Sequence, residues 1–386
     1  MADVEIGIGK SARRGYSLDE VVVVPSRRTR DASDVDLSWR LDAFDFALPL
    51  MVAPSDAAVS PGTAAEIARL GGLAVLDLDG LWTRHEDPGP LFEEIAGIDA
   101  TRATRRLQEL YLAPVRPELV RERIREVAAS GAVTCGAVTP QRAASMAGLL
   151  VEAELEILVV RGTVVSAEHV SKGSETLDLT SFIRRLDLPV VVGGCASYQA
   201  ALHLMRTGAV GVLVGVGSQG TSTTHEVLGI GAPQATAIAD AVGARTRHLE
   251  ETGVYVQVVA DGGVDTGGDV VKAIACGADA VMLGSPVAAA LDAPGLGFDW
   301  SIGAGHPTLP KSARVAVPQR GTLEEILVGP AHDGKGRTNL FGALRGAMAS
   351  CGYADLRSFN KAEVMVAPPR RRPRERWSAD ERAPGR

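Results

Sequence analysis

Eight short apolar segments, rich in Val, Leu and Ile, recur between residues 48 and 287 and constrain the fold most strongly. They lie at residues 48–53, 73–76, 133–138, 157–160, 189–192, 212–216, 256–260 and 280–283. Stretches with helical periodicity follow several of them, at 62–70, 143–152, 198–208 and 268–276. Continuously apolar runs of this kind are typical of parallel strands covered by helices. Eight βα units predict an α/β protein with a closed (β/α)8 TIM barrel, and an open doubly wound sheet is the alternative.

The composition agrees with one α/β domain and excludes several other classes. A barrel of this type takes about 250 residues or more, so 386 residues do not require a second domain. The net charge of -7 argues against nucleic acid as the main partner, and no apolar run approaches membrane-spanning length. The four cysteines have no CxxC or CxxxH spacing, and the N-terminus has no signal-like segment. These features predict a soluble cytoplasmic protein with reduced thiols and without a zinc or iron-sulfur site.

Two connections are longer than a barrel needs. Residues 79–132 are charged and favour helices, whereas residues 217–255 begin with a polar loop and continue into a helical stretch at 235–252. Loops that follow barrel strands lie at the catalytic face, so the loop after the sixth strand is predicted to be functional. A surface loop without function is the alternative. Residues 367–386, rich in Arg and Pro, are predicted to form a disordered basic tail.

Two glycine-containing segments end the seventh and eighth apolar runs. In the first, Asp261 precedes Gly262 and Gly263, and in the second, Gly284 precedes Ser285. Glycines let the backbone approach an anion closely, and a carboxylate can accept both hydroxyls of a ribose. The loops after strands seven and eight form the common phosphate site of barrels. Together the two segments predict a phosphorylated ligand.

A third segment carries a family resemblance. Residues 215–225 read GVGSQGTSTTH, and residues 229–234 read GIGAPQ. The chain resembles the IMP dehydrogenase and GMP reductase family, whose members have glycines followed by Ser-Ile-Cys-Thr-Thr-Arg and then Gly-Val-Gly-Val-Pro-Gln. Further similar segments lie at 16–21, 35–38, 53–56 and 344–352. The resemblance implies a single barrel over 1–366, with the helical insertion 79–132 in place of the paired CBS modules of many members and an active-site loop at 217–234.

The resemblance also implies roles for individual residues. Thr224 matches the threonine that helps position the reacting water or base, and Ser222 stands where the family has the cysteine that attacks C2 of the purine. The residues implied to bind the nucleotide are Asp261 at the ribose and Gly262, Gly263, Gly284 and Ser285 around the phosphate, together with Gly220, which replaces a serine that contacts phosphate in the family. NAD or NADP is the implied cofactor, and a homo-tetramer or larger ring is the implied assembly. Gln219 replaces a glycine that coordinates a monovalent cation, which puts that ion in doubt.

Several positions depart from the family pattern. A cysteine with a pKa of about 8.5 supplies some thiolate at neutral pH, whereas the hydroxyl of Ser222 needs a positioned base to act as a nucleophile. His225 is a candidate for that base and Cys195 for a substitute nucleophile, with a surface histidine and a small buried cysteine as the alternatives. Arg161 stands where the family has an aspartate that meets the nicotinamide ribose, and it is expected either near a dinucleotide or in a surface ion pair. The stretch 285–317 has no Arg-Tyr pair of the kind that activates water.

These observations favour two functions. The first is a purine-nucleotide oxidoreductase with NAD(P)-linked chemistry at C2 of IMP or GMP, in which Ser222 and Thr224 lie nearest the purine and the reductase direction is preferred. The second is a purine-nucleotide-binding regulator, or an assembly partner of a catalytic paralogue, without turnover. A flavin-dependent barrel oxidase shares the phosphate site and is a weaker third possibility.

Overall fold

The computed structural model describes residues 3–169, 177–217, 224–300, 314–332 and 334–368. The strands, numbered in chain order, are β1 (Asp3–Gly7), β2 (Lys10–Arg13), β3 (Val21–Val23), β4 (Trp39–Leu41), β5 (Phe44–Phe46), β6 (Leu50–Val52), β7 (Leu73–Ala74), β8 (Leu76–Asp77), β9 (Cys135–Val138), β10 (Ile157–Arg161), β11 (Val190–Cys195), β12 (Gly211–Val214), β13 (Gln257–Asp261), β14 (Ala280–Leu283), β15 (Phe298–Asp299), β16 (Val315–Ala316) and β17 (Val364–Val366). The helices are α1 (Pro61–Arg69), α2 (Gly89–Gly97), α3 (Ala100–Leu112), α4 (Pro117–Ala129), α5 (Pro140–Glu152), α6 (Leu179–Arg185), α7 (Tyr198–Met205), α8 (Thr224–Leu228), α9 (Gln234–Thr252), α10 (Gly267–Ala275), α11 (Ser285–Ala288), α12 (Leu323–Leu327), α13 (Leu340–Ser350) and α14 (Leu356–Phe359).

Parallel strand segments form a barrel in the order β7, β6, β14, β13, β12, β11, β10, β9 and β8. The two end segments, β7 and β8, are consecutive in the chain and only Val75 separates them, so this run brings the two edges of the sheet together. Each of the eight predicted apolar segments contains a barrel strand, and the second is divided into β7 and β8. The predicted (β/α)8 barrel is therefore confirmed, and the open doubly wound sheet is not observed.

The barrel strands are buried on both faces, which explains why their sequences do not alternate. Val191 and Val192 in β11 and Val159 and Val160 in β10 are fully buried, and the two strands pair in register, with Val159 beside Val191. One side chain of each successive pair faces the barrel interior and the next faces the surrounding helices, so both positions require apolar residues.

The predicted helices at 62–70, 143–152, 198–208, 235–252 and 268–276 correspond to α1, α5, α7, α9 and α10. Their ends differ from the prediction by up to three residues because capping sets the ends, whereas periodicity marks only the buried face. The Ser60 side chain accepts a hydrogen bond from the Thr63 N–H and starts α1 early. Pro140 occupies the first turn of α5, and Gly253, with φ of 75°, ends α9.

The insertion at 79–132 is helical, as predicted, and contains α2, α3 and α4 and no strand. It builds a second apolar cluster beside the barrel, which we call the side core. Within it, the indole N–H of Trp300 donates to the Tyr111 hydroxyl at 3.0 Å, and that hydroxyl donates to the Asp56 carboxylate just after β6. The side core consists of Ala57, Leu81, Phe92, Ile95, Leu107, Leu110, Tyr111 and Trp300. The insertion therefore packs directly on the end of the first barrel strand.

The segments before and after the barrel meet each other. β3 pairs antiparallel with β17, and α13 approaches α10 so closely that a side chain at Gly267 would lie 2.4 Å from the Cβ of Ala343. Of the predicted tail 367–386, only 367 and 368 are among the described residues, so its disorder and the domain bounds stay predictions. In the described ranges, no helix combines the length and apolar character needed to cross a membrane.

Acidification is expected to destabilise the protein through His248. This α9 side chain is buried, its Nδ1 has no hydrogen-bond partner among the described residues, and burial lowers its pKa below 6.5. Because the unfolded chain then binds a proton more readily, stability should fall as the pH drops below about 6.5. Between pH 7.5 and pH 5.5, the free energy of unfolding in urea should fall more for the wild type than for His248→Gln. The exposed His203→Asn variant is the control and should follow the wild type. An equal loss in His248→Gln and the wild type would contradict the assignment.

Candidate functional site

The carboxyl ends of the barrel strands bring those predicted site residues that directly follow or end a described strand to one mouth. Arg161 ends β10 and Asp261 ends β13, while Gly284 follows β14. Since all barrel strands are parallel, these ends lie at the same face. Ser55 and Gly217, which follow β6 and β12, belong to the same face.

Two consecutive glycines shape the turn after β13. Gly262 has φ of 91° and Gly263 has φ of 74°, both in the left-handed region. Residues with a Cβ are strained in this region, so the turn requires glycine at both positions. The backbone here fits the sequence prediction for a turn that approaches a ligand. The phosphate contact of Gly262 and Gly263 stays a prediction.

Asp261 is bound to an arginine across the mouth. The Arg161 Nη2 atom lies 3.1 Å from Asp261 Oδ2, and the Nε atom lies 3.3 Å from the same oxygen. The two side chains are only 7% and 5% exposed. The expectation of a surface ion pair for Arg161 is therefore wrong, because its strand end points into the mouth and the pair is buried.

The Ser285 hydroxyl contacts a carboxylate that the sequence analysis did not single out. Ser285 Oγ donates to Asp299 Oδ2 at 3.0 Å, and Ser55 Oγ donates to Asp299 Oδ1 at 3.0 Å. Asp299 is 1% exposed, and burial raises its pKa above the usual value although both hydroxyls oppose that shift. Asp299 therefore belongs to the same group of contacts as the predicted phosphate residue.

The ends of the loop 217–234 are fixed on the barrel. A side chain at Gly217 would lie 2.7 Å from the Ile230 carbonyl oxygen, so only glycine permits this approach. Gln234 Nε2 donates to the Val214 carbonyl at 2.7 Å. Thr224 begins α8 and is buried, and its role at the reacting group stays a prediction.

The predicted residues Gly220 and Ser222 lie outside the described residues, with the rest of 218–223. The His225 side chain is exposed, and its pairing with Ser222 stays a prediction.

Cys195 does not have the properties of a nucleophile. Its thiol is 1% exposed, and burial raises its pKa to about 12. The thiolate is the form that attacks carbon, so a raised pKa opposes a nucleophilic role for this group at neutral pH. The alternative of a small buried cysteine is supported.

The residues at the end of β10 do not fit the nicotinamide contact that the family makes there. A guanidinium has five donors and no acceptor, so Arg161 cannot accept hydrogen bonds from ribose hydroxyls. Its position beside Asp261 is, in addition, already fixed by the ion pair. A nicotinamide cofactor would have to be held by other residues of the mouth.

The sequence and structure both match one family of barrel proteins. Residues 15–301 match the IMP dehydrogenase / GMP reductase domain. The structure is similar to that of an IMP dehydrogenase/GMP reductase-like protein from Corynebacterium glutamicum, with a TM-score of 0.88 and 46% identity over 94% of this chain and 97% of that one.

Relatives of similar length are named as oxidoreductases. An uncharacterized oxidoreductase from Mycolicibacterium smegmatis is 48% identical over 94% of this chain and 99% of its own length. The inosine-5'-monophosphate dehydrogenase of Methanocaldococcus jannaschii is 31% identical over a match that covers 62% of this chain and 51% of that relative. The match to the domain covers most of the chain, which therefore belongs to the IMP dehydrogenase / GMP reductase family.

Proposed function

We propose that this protein is a purine-nucleotide oxidoreductase that binds a purine 5'-mononucleotide at the barrel mouth and acts on C2 of its base. The observation that carries the proposal is the joint position of Asp261, the left-handed pair Gly262 and Gly263, and the Gly284-Ser285 segment at one face. A carboxylate there can accept the ribose hydroxyls, and the glycine turns expose backbone N–H groups to a phosphate. Family membership supports IMP, GMP or XMP as the ligand.

In this proposal, Ser222 and Thr224 lie nearest the purine C2, and NAD or NADP, bound by other residues of the mouth, would supply or accept the hydride. The protein's own residues orient the nucleotide: Asp261 fixes the ribose, and the buried Thr224 orients the group that exchanges a proton at the base. The reductase direction is preferred, since it does not need a group that activates water for hydrolysis.

A second function is favoured by two specific observations. Arg161 places a guanidinium, which has no acceptor, at the end of β10, and burial raises the pKa of the Cys195 thiol. Both features agree with a purine-nucleotide-binding regulator, or an assembly partner of a catalytic paralogue, that does not turn over. A homo-tetramer or larger ring and a doubtful monovalent cation also stay predictions from the family resemblance, and a cytoplasmic location stays a prediction from the cysteine pattern and the N-terminal sequence.

The two functions are distinguished by mixing the protein with GMP and NADPH, and separately with IMP and NAD. Nicotinamide absorbance reports turnover, mass spectrometry identifies the product, and calorimetry measures nucleotide binding. Turnover above a protein-free blank supports the oxidoreductase. Nucleotide binding without turnover supports the regulator, and the absence of binding contradicts both.

Ser222→Cys is expected to raise the turnover rate by at least about tenfold, because a thiol is a stronger nucleophile than an unactivated hydroxyl. The same absorbance assay measures the rate. Thr221→Cys, which adds a thiol one residue earlier in the loop, is the matched control and should leave the rate unchanged. Equal rates for the wild type and Ser222→Cys would contradict the placement of residue 222 at the reacting carbon.

A further inference from the structure

A buried arginine contacts both oxygens of the carboxylate that is proposed to bind the ribose. Arg161 Nη2 donates to Asp261 Oδ2 at 3.1 Å and to Oδ1 at 3.4 Å, and Arg161 Nε donates to Oδ2 at 3.3 Å. A guanidinium is planar and its N–H groups have fixed directions, so contacts to both oxygens determine the plane of a carboxylate. The orientation of the Asp261 side chain therefore depends on Arg161.

This ion pair spans the barrel mouth. Arg161 ends β10 and Asp261 ends β13, and β11 and β12 lie between these strands in the barrel. Both side chains are almost fully enclosed, at 7% and 5% exposed. A buried carboxylate without an opposite charge is strongly unfavourable, whereas a buried pair compensates both charges. Arg161 thus allows the Asp261 carboxylate to lie at the mouth with little access to solvent.

The contacts of Arg161 leave the carboxylate able to accept further hydrogen bonds. A carboxylate has about four lone-pair positions on its two oxygens, and the contacts of Arg161 come from only two nitrogens. All three distances exceed the range of about 2.7–2.9 Å that is typical of a charge-assisted N–H···O bond. Ribose hydroxyls can therefore donate to Asp261 while Arg161 remains bound to it.

The charge of Arg161 also reaches the phosphate end of the mouth. Burial raises the pKa of Asp299, whereas the serine hydroxyls that bind this carboxyl and the charge of Arg161 lower it. An effect of Arg161 at that end would be the same for every ligand with a 5'-phosphate. An effect that acts through Asp261 depends instead on the ribose hydroxyls, so the two effects can be separated with a ligand that lacks those hydroxyls.

We propose that Arg161 is a positioning residue that orients the carboxylate of Asp261 toward the two ribose hydroxyls and so makes the mouth select ribonucleotides. This inference rests on the proposed purine-nucleotide site and adds the residue that sets the geometry of its ribose contact. Arg161 does not replace Asp261 as the acceptor, because a guanidinium has donors only.

The test compares IMP with 2',3'-dideoxy-IMP by calorimetry on the full chain. The ribose ratio, which is the affinity for IMP divided by that for the dideoxy analogue, should be at least about thirtyfold in the wild type, because two hydrogen bonds to a charged group are lost. Arg161→Gln removes the charge and the planar fork, and should lower the ratio to about fivefold or less through weaker binding of IMP. The affinity for the dideoxy analogue should change by less than about twofold.

Two further variants make the test independent of stability. Arg245→Gln breaks an equally buried ion pair with Asp279, in which the side chains are 9% and 10% exposed. Asp279 directly precedes β14, so this pair lies at the opposite end of the barrel, and its loss should leave the ribose ratio unchanged. Arg161→Lys keeps the charge without the planar fork and should lower the ratio by at least about threefold. It decides the question if Arg161→Gln does not fold.

Three results would count against these proposals in different ways. A ribose ratio that stays within about twofold of the wild type in the Arg161 variants, or an equal loss of affinity for both ligands, would overturn the inference. Equal affinities of the wild type for the two ligands would also overturn it, since the ribose hydroxyls would then lie away from Asp261. If neither ligand binds the wild type, the proposed nucleotide site itself is wrong.

Discussion

Replacing Asp261 with alanine is expected to lower the free energy of unfolding by about 3–5 kcal/mol and to abolish binding of IMP and GMP. The stability is lost because the Arg161 guanidinium, 7% exposed, keeps its charge when its carboxylate partner at 3.1 Å is removed. Nucleotide binding is lost because the ribose hydroxyls then have no carboxylate acceptor. Urea unfolding measures the first effect and calorimetry the second.

Two further variants separate the effects. Combining Arg161→Met with Asp261→Leu removes both charges together and should restore most of the stability without restoring nucleotide binding. Asp240→Ala breaks the more exposed ion pair with Arg13 and should lower the free energy of unfolding much less than Asp261→Ala. A loss below about 1 kcal/mol in Asp261→Ala would show that the buried pair contributes little. An unchanged nucleotide affinity would show that the ribose lies elsewhere.

The second large effect is expected at Trp300. Removal of a buried aromatic side chain costs about 3–5 kcal/mol in most cores, and Trp300 is among the largest fully buried side chains of the protein. Trp300→Ala also removes the stacking against Phe92, whose ring centroid is 5.8 Å away, and the hydrogen bond to Tyr111. Urea unfolding followed by far-ultraviolet circular dichroism measures the loss.

Trp300→Phe is the matched control, since it keeps one aromatic ring and removes the N–H donor together with the second ring of the indole. Trp300→Phe should lower the free energy of unfolding clearly less than Trp300→Ala does. If Trp300→Ala lowers the free energy of unfolding by less than about 1 kcal/mol, the side core does not support the barrel.

The barrel could be predicted from the sequence because its strands are buried on both faces. Val190, Val191 and Val192 form an uninterrupted apolar run that fits few other structures. Gly262 and Gly263 were also predictable, since two adjacent glycines after such a run indicate backbone that other residues cannot adopt. Helix ends were less predictable, because caps such as Ser60 lie outside the apolar period.

The charges of the mouth could not be predicted in the same way. Arg161 and Asp261 are 100 residues apart in the chain, and only barrel closure brings them together. A signal was nevertheless present: a charged residue that directly continues a fully buried strand needs an opposite charge at the same face. Asp299 gave no such signal, since its partners Ser55, in the loop after β6, and Ser285, at the start of α11, are far apart in the chain.

The side core also determines how this chain can be divided. Tyr111 in α3 touches both Asp56 after the first barrel strand and Trp300 beside Asp299, so the insertion contributes to two sides of the mouth at once. A deletion of residues 79–132 would uncover Ala57 and Trp300, which lie on barrel loops. Chimeras with relatives should therefore exchange this insertion together with residues 295–300, as one transferable unit rather than as an appendage.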